Sequence, residues 1–246
     1  MNRARRQTAL ITGSSRGLGF TLADFLAAQG HDLILTARDQ EVLENSAAKL
    51  RETARGQIVT LAGDVGEAEH RSALIEKVGE LGGLDLLVNN ASDLGPSPQP
   101  LLRDYPLGRL EHLYRVNVFA PLGLIQGALP LLREDGLVVN ISSDAAVGAY
   151  EGWGGYGSSK AALDLLTLTL ANEGVNAVSV DPGDMRTAMH QAAFPGEDIS
   201  DRPLPDVTLP FWAWLLGQDP KEVSGQRFQA QGERWETKRE SREVSV

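Results

Sequence analysis

The chain has 246 residues, 42% of them apolar, enough for one large α/β domain with a substantial core. Its formal charge of −10 argues against a nucleic-acid partner, because a phosphate backbone demands clustered Lys and Arg. There is no Cys, which excludes disulfides, thiol catalysis and thiolate-held metal, so any redox chemistry needs a borrowed cofactor.

The opening MNRARRQTALITG moves straight into a strand-like run, without the apolar stretch and cleavage site of a secretory signal, and implies a cytoplasmic location. Apolar runs and amphipathic stretches then alternate: strand 9–12, helix 17–29, strand 32–37, helix 39–54, strand 57–63, helix 67–80 and strand 84–90. Short apolar runs separated by helices predict a parallel sheet covered on both faces. A helical region over 107–133, interrupted by Pro121 and Pro130, leads to strand 136–142, helix 156–172 and strand 175–180.

Residues 188–210 mix Pro, Gly and acids with little periodicity and read as an insert covering a substrate, since long irregular loops in compact domains are usually functional. A helix around 208–217 and a strand at 224–230 close the sheet. Phe211 to Leu216, the most apolar late segment, is far shorter than the ~20 residues that span a bilayer, so no membrane partner is expected. Residues 1–232 make one catalytic domain in this reading, and 233–246 a charged, solvated tail.

TGSSRGLG (12–19) places Gly13, Gly17 and Gly19 where a chain must turn sharply, admit phosphates to its backbone and pack a helix on the sheet. The amides of the following helix would face a pyrophosphate. The second strand ends Thr36-Ala37-Arg38 with no acid before Asp39, and Arg16 lies in the glycine turn. An acid at that strand end suits a ribose 2′-hydroxyl, whereas Arg suits a 2′-phosphate. Arg38 and Arg16 therefore either bracket a 2′-phosphate or are solvated surface charges. Asp64-Val65 and Asn89-Asn90-Ala91 follow the third and fourth strands, at the carboxyl ends where ligands bind in open α/β sheets, although Asp and Asn also serve turns there.

Tyr156 and Lys160 stand one helical turn apart, so the ammonium can sit beside the phenol. A free Tyr titrates near about 10, and a neighbouring cation lowers that value toward useful proton exchange. Tyr105, Tyr114 and Tyr150 have no Lys four residues later. Ser143, thirteen residues before Tyr156, offers a hydroxyl to a substrate oxygen, with Ser142 as its competitor.

Taken in order, TGSSRGLG, Asp64-Val65, NNA (89–91), Asn117, NISS (140–143), YGSSK (156–160) and DPGDMRT (181–187) resemble the short-chain dehydrogenase/reductase family across nearly the whole chain. The resemblance implies a single-domain, Rossmann-like, doubly wound parallel sheet in three α/β/α layers. It implies an oxidoreductase that uses NADP(H), less readily NAD(H), to interconvert a carbonyl and an alcohol on a small organic substrate. It makes Tyr156 the proton donor or acceptor, Lys160 its partner, Ser143 the group polarising the carbonyl, and Asn117 the holder of a water leading from Lys160. The implied cofactor contacts are Gly13, Ser15, Arg16, Gly17, Leu18, Gly19, Arg38, Asp64, Val65, Asn90, Ala91, Tyr156, Lys160, Pro182, Gly183 and Thr187.

Two departures stand out: NNAS replaces the commoner NNAG, and VDPG replaces VNPG. Met185, Met189, His190, Phe194 and the Trp153 loop suit an apolar substrate pocket. The four His are not spaced with carboxylates as a metal site. A homodimer or homotetramer packed through 107–133 and 156–172 is implied by the resemblance. An NAD-dependent alcohol dehydrogenase would keep the same residues, with Arg16 and Arg38 counting against it. A non-catalytic NADP(H)-binding regulatory protein would be favoured by loss of the Tyr, Lys or Ser, and all three are present.

Overall fold

The computed structural model describes residues 5–243. Seven strands form one sheet: β1 (Thr8–Thr12), β2 (Asp32–Ala37), β3 (Ile58–Ala62), β4 (Leu84–Asn89), β5 (Leu132–Ile141), β6 (Ala177–Asp181) and β7 (Arg227–Gln229). All pairings are parallel, in the order β3-β2-β1-β4-β5-β6-β7. The expected doubly wound α/β architecture is present. Its direction reverses at β1/β4, where open α/β sheets leave a crevice outside their carboxyl ends.

The helices are α1 (Gly17–Gln29), α2 (Gln40–Arg51), α3 (Ala68–Glu80), α4 (Leu107–Tyr114), α5 (Ala120–Ala128), α6 (Gly154–Asn172), α7 (Ala188–Ala193), α8 (Leu209–Leu215), α9 (Pro220–Val223) and α10 (Lys238–Glu243). Successive strand residues point to opposite faces, so each apolar strand feeds two cores. Ile11, Leu35 and Val139 pack with Leu22 and Leu26 of α1 and Phe211 and Trp212 of α8. Leu10, Ile34 and Val138 pack with Leu74 and Val78 of α3 and Leu124 of α5. Each fully buried Leu or Ile contributes about 1.5–3 kcal/mol, which makes this two-sided burial the main stabiliser of the layers.

The region expected as helix over 107–133 breaks into α4, a π-turn at Arg115–Phe119 and α5, and β5 begins at Leu132. The reason is proline. Pro121 has no amide hydrogen for the Asn117 carbonyl, and the Ala120 amide reaches back five residues to Arg115. Pro130 likewise cannot extend α5. Residues 188–210 hold more structure than their composition suggests. Thr187 caps α7 by accepting from the His190 amide at 3.2 Å, and Pro205–Thr208 forms a 3-10 turn.

The tail from 233 is not simply solvated. The Trp235 ring lies 5.4 Å from Phe211 and 5.9 Å from Trp214, its Nε1 donates to the Gln229 carbonyl at 2.9 Å, and Thr237 is buried. The large apolar face of the half-buried indole packs on α8 and so anchors the segment. Residues 244–246 of the tail lie outside the described residues.

Candidate active site

At the carboxyl end of β1 the chain turns through Gly13 at φ +66° and Gly17 at φ +56°, a region open to glycine at little cost. A Cβ on Gly13 would lie 2.9 Å from the Ala91 backbone, and one on Gly19 only 2.4 Å from the Gly13 carbonyl. The turn is therefore as close-packed as the sequence implies. Asn90 holds it shut, donating from Nδ2 to the Thr12 carbonyl at 2.8 Å and the Gly13 carbonyl at 3.1 Å. That makes Asn90 first of all a structural tie, and Ala91 joins it through its amide on Thr12 Oγ1 at 2.9 Å. No side chain caps α1, so its first amides stay free for an anion at the positive end of the helix.

Arg16 and Arg38 are both exposed along the rim of this cleft, and among the described residues neither has an ion-pair partner. Asp39, the nearest acid, is committed to α2: its Oδ1 accepts from the Val42 amide at 3.0 Å. Asp64 likewise turns one oxygen to the Gly66 amide at 2.8 Å, and Val65 is buried beside Val116 and Ala120. Ser15, Leu18 and Pro182 also line the cleft. Its volume of about 1070 Å³ is ample for a dinucleotide and a small second molecule. The tight glycine turn, the uncapped helix and the two exposed guanidinium groups fit a phosphorylated dinucleotide.

The same cleft continues to Ser143, Tyr156 and Lys160. Ser143 follows β5, while Tyr156 and Lys160 share the first turns of α6. The Lys160 ammonium is buried, donates to the Ile141 carbonyl at 2.7 Å and lies 5.6 Å from the Tyr156 ring centroid. Burial brings Lys160 down to about 8. Burial also pushes the Tyr156 phenol up to about 12, against the hydroxyls of Ser92 and Ser143, which pull it down. The lowered phenol expected from the Tyr/Lys spacing is thus not what the polypeptide shows. Desolvation of the buried phenolate outweighs any pull from the cation, which stands 5.6 Å from the ring centroid.

Ser143 Oγ donates to Asp144 Oδ1 at 3.0 Å and accepts from the Ala145 amide at 3.2 Å. Ser142 is buried and its hydroxyl has no hydrogen-bond partner among the described residues, whereas the Ser143 hydroxyl pulls the Tyr156 phenol down. Asn117 is buried in the π-turn, with Oδ1 accepting from the Asp93 amide at 2.7 Å and from Ser92 Oγ at 3.1 Å. Beyond β6, Gly183 sits at φ +73° with its amide on Asp181 Oδ1 at 3.0 Å, and Thr187 reaches back toward Gly17.

The model of the short chain dehydrogenase family matches residues 7–198, over three quarters of the chain. The protein belongs to the short chain dehydrogenase family. It is an oxidoreductase of that family. It is similar to the uncharacterized oxidoreductase YciK of Escherichia coli strain K12, 32% identical over 230 residues and 90% of each chain. It is also similar to a benzil reductase of Saccharomyces cerevisiae that forms (S)-benzoin, 33% identical over 194 residues, covering 74% of this chain and 73% of that one. Among solved structures, an Escherichia coli CFT073 short chain dehydrogenase complexed with NADPH superposes with a TM-score of 0.85 at 30% identity, covering 92% of this chain and 97% of that one.

In this short chain dehydrogenase, sequence reasoning missed Arg227. On β7 it donates to Asp164 at 3.0 Å, Asp181 at 3.1 Å and the Ser143 carbonyl at 2.7 Å. Nothing near Arg227 in the chain signals this, because its partners lie on β6, on α6 and beyond β5. Ser92 and Asp181 were legible only as departures from the family pattern. The aromatic edge of the cleft was legible as composition: Trp153 packs 5.9 Å from both Tyr156 and Phe194, and His190 lies 4.9 Å from Phe194.

Proposed function

We propose that this chain is an NADPH-dependent oxidoreductase that interconverts a carbonyl and an alcohol on a small organic molecule. The observation that carries the reading is one cleft joining the glycine turn to Ser143, Tyr156 and Lys160 at the carboxyl ends of the strands. When bound, the nicotinamide supplies or accepts the hydride. Tyr156, held as a neutral phenol at neutral pH, delivers its proton to the substrate oxygen in the reducing direction. Ser143 donates a hydrogen bond to the same oxygen as charge grows on it. Lys160, still mostly protonated at neutral pH, offsets the phenolate left behind and would help to hold the nicotinamide ribose.

The guanidinium groups of Arg16 and Arg38, without ion-pair partners among the described residues and with Asp39 committed to its helix, support NADPH over NADH. The NADPH carried by the similar Escherichia coli structure supports the same choice. Trp153, backed by Phe194, together with Met185 and Leu94 gives the substrate half an apolar wall, and Asp93, Asp144 and Asp184 add negative charge. That combination favours neutral, ring-bearing carbonyl compounds over anions. Exposed Leu107 of α4, Phe119 of the π-turn and Leu165 and Leu168 of α6 support a homo-oligomer. The test is a screen of ketones, quinones and aldehydes with both reduced cofactors. Consumption of NADPH by at least one carbonyl class is expected, and no turnover across the screen together with absent NADPH binding would defeat the reading.

A further inference from the structure

Three parts of the candidate site meet on one side chain. Tyr156, Lys160 and Asp164 are spaced four apart on α6, so Asp164 continues the face that carries the phenol and the ammonium. Asp164 Oδ2 accepts from Arg227 Nε at 3.0 Å. Nη2 of the same guanidinium directs its two hydrogens to the Ser143 carbonyl at 2.7 Å and to Asp181 Oδ2 at 3.1 Å. Strand register sets this up. Arg227 pairs with Ser179 of β6, and its neighbour Phe228 packs on Phe211 and Trp214. Alternation along β7 therefore turns Arg227 to the α6 face of the sheet, which Asp181 shares two residues beyond Ser179.

Asp181 passes the contact on, its Oδ1 accepting from the Gly183 amide at 3.0 Å where the backbone turns at φ +73°. Gln231, just beyond β7, donates from Nε2 to the Pro182 and Asp184 carbonyls of the same turn at 3.0 and 2.9 Å. The Ser143 carbonyl also accepts from the Ala146 amide at 3.0 Å, and the Ser142 amide donates to the Val180 carbonyl at 2.7 Å. Those bonds shape the serine turn. Arg227 joins it to α6 and to the loop after β6 at the same time.

We propose that Arg227 is a positioning residue of the reaction, a planar fork that fixes Ser143, the helix bearing Tyr156 and the Asp181–Gly183 turn relative to one another. It rests on the reading of Ser143 and Tyr156 as the groups that meet the substrate oxygen. Ser143, Tyr156 and Gly183 line one cleft, and Arg227 stands behind it, acting through the Ser143 backbone. Reacting groups displaced by about 1 Å can cost on the order of 10²-fold in rate. Arg227 also lies beyond residues 7–198, the part matched by the family model. It answers the carboxylate of VDPG, where the commoner VNPG has a neutral side chain that needs no cation. Lysine at 227 would keep the charge but end in a single nitrogen, which cannot reproduce the span from Asp164 to Ser143.

The experiment follows reduction of isatin, a neutral ring-bearing ketone, by NADPH fluorescence in the full chain. It compares the parent with Arg227→Lys and with the double variant Arg227→Leu/Asp181→Asn, at a temperature where circular dichroism shows all three folded. The double variant removes the carboxylate along with its cation, so no charge is stranded at 181. Its kcat is still expected to fall at least about tenfold, and that of Arg227→Lys about threefold to tenfold, while KM for isatin and the affinity for NADPH stay within about threefold. Amide exchange of the NADPH complex is expected to quicken at 142–147 and 181–187 and to stay unchanged in β1 and β2. Parental kcat and parental exchange in both variants overturn the proposal. So does exchange that quickens throughout the sheet with NADPH affinity lost in step, the mark of a side chain that only holds the fold together. Exchange needs no turnover, so it decides the tie by itself where isatin is left untouched. Turnover that survives Tyr156→Phe yet falls in both Arg227 variants would keep Arg227 in its role and defeat the acid/base reading instead.

Discussion

Arg227 Nη2 lies 3.1 Å from Asp181 Oδ2, and the same nitrogen donates to the Ser143 carbonyl at 2.7 Å. The charge introduced by VDPG is therefore answered from β7, and the pair ties the end of β6 to the serine after β5. Burial still raises the Asp181 carboxyl above its ordinary value, with Arg227 and the Gly183 amide pulling it down. Arg227→Leu is expected to destabilise the fold by about 2–4 kcal/mol, because it strands a buried carboxylate. The cost falls short of that for a fully buried pair because a quarter of the Arg227 side chain is exposed, at 25%. Adding Asp181→Asn to it should recover at least half of the loss in urea denaturation, and strictly additive losses would show that the two side chains are not coupled.

Replacing Arg38 by Asp puts a carboxylate where a 2′-phosphate is expected. NADPH binding should weaken at least about tenfold while NADH binding holds or tightens, about 1.4 kcal/mol of discrimination or more. Fluorescence titration with both cofactors checks this. Equal weakening of the two would mean that Arg38 acts on something common to both.

Tyr156→Phe removes one oxygen and keeps the ring against Trp153. Turnover should drop by about 10²–10⁴-fold, the usual share of a general acid, with NADPH affinity changed by less than about threefold. Stopped-flow measurement of the hydride step distinguishes this from slowed cofactor release.

Lys160 at about 8 sets a pH dependence for reduction. Below that value the ammonium is present to offset the phenolate; above it the charge is lost, while the phenol at about 12 remains a protonated acid. The rate of carbonyl reduction at saturating NADPH should therefore fall as pH rises through about 8. A profile level from pH 7 to 10 would remove Lys160 from the charge balance.

Acid stability should depend on Asp85 at the start of β4. Burial favours its neutral form, yet Arg5, the Thr8 amide and Arg133 together hold it below the ordinary carboxylate value. The unfolded chain then binds the proton more readily, so this stabilisation is full above the unfolded value of 3.8 and disappears as pH falls through the lower folded value. Asp85→Asn should lower stability at pH 7 and flatten its decline below pH 4. Thermal melts across that range decide it.

The sequence by itself determined the alternation of strand and helix, the glycine turn, and the placing of Tyr156 and Lys160 on one face of α6. Each of these is a local matter of period or spacing, readable within a few turns of chain. Only the tertiary structure decided which groups answer them. Arg227 meets a carbonyl 84 residues away because β7 lies beside β6, and Ser92 meets Asn117 because the π-turn at Arg115–Phe119 brings that amide to the loop after β4. Trp235 escapes the solvent expected of its charged segment because Phe211 and Trp214 offer it aromatic faces. The direction of the Tyr156 shift was likewise beyond the sequence. It turns on how far burial removes water from the phenol relative to the distance of a cation, and both are properties of the packed molecule.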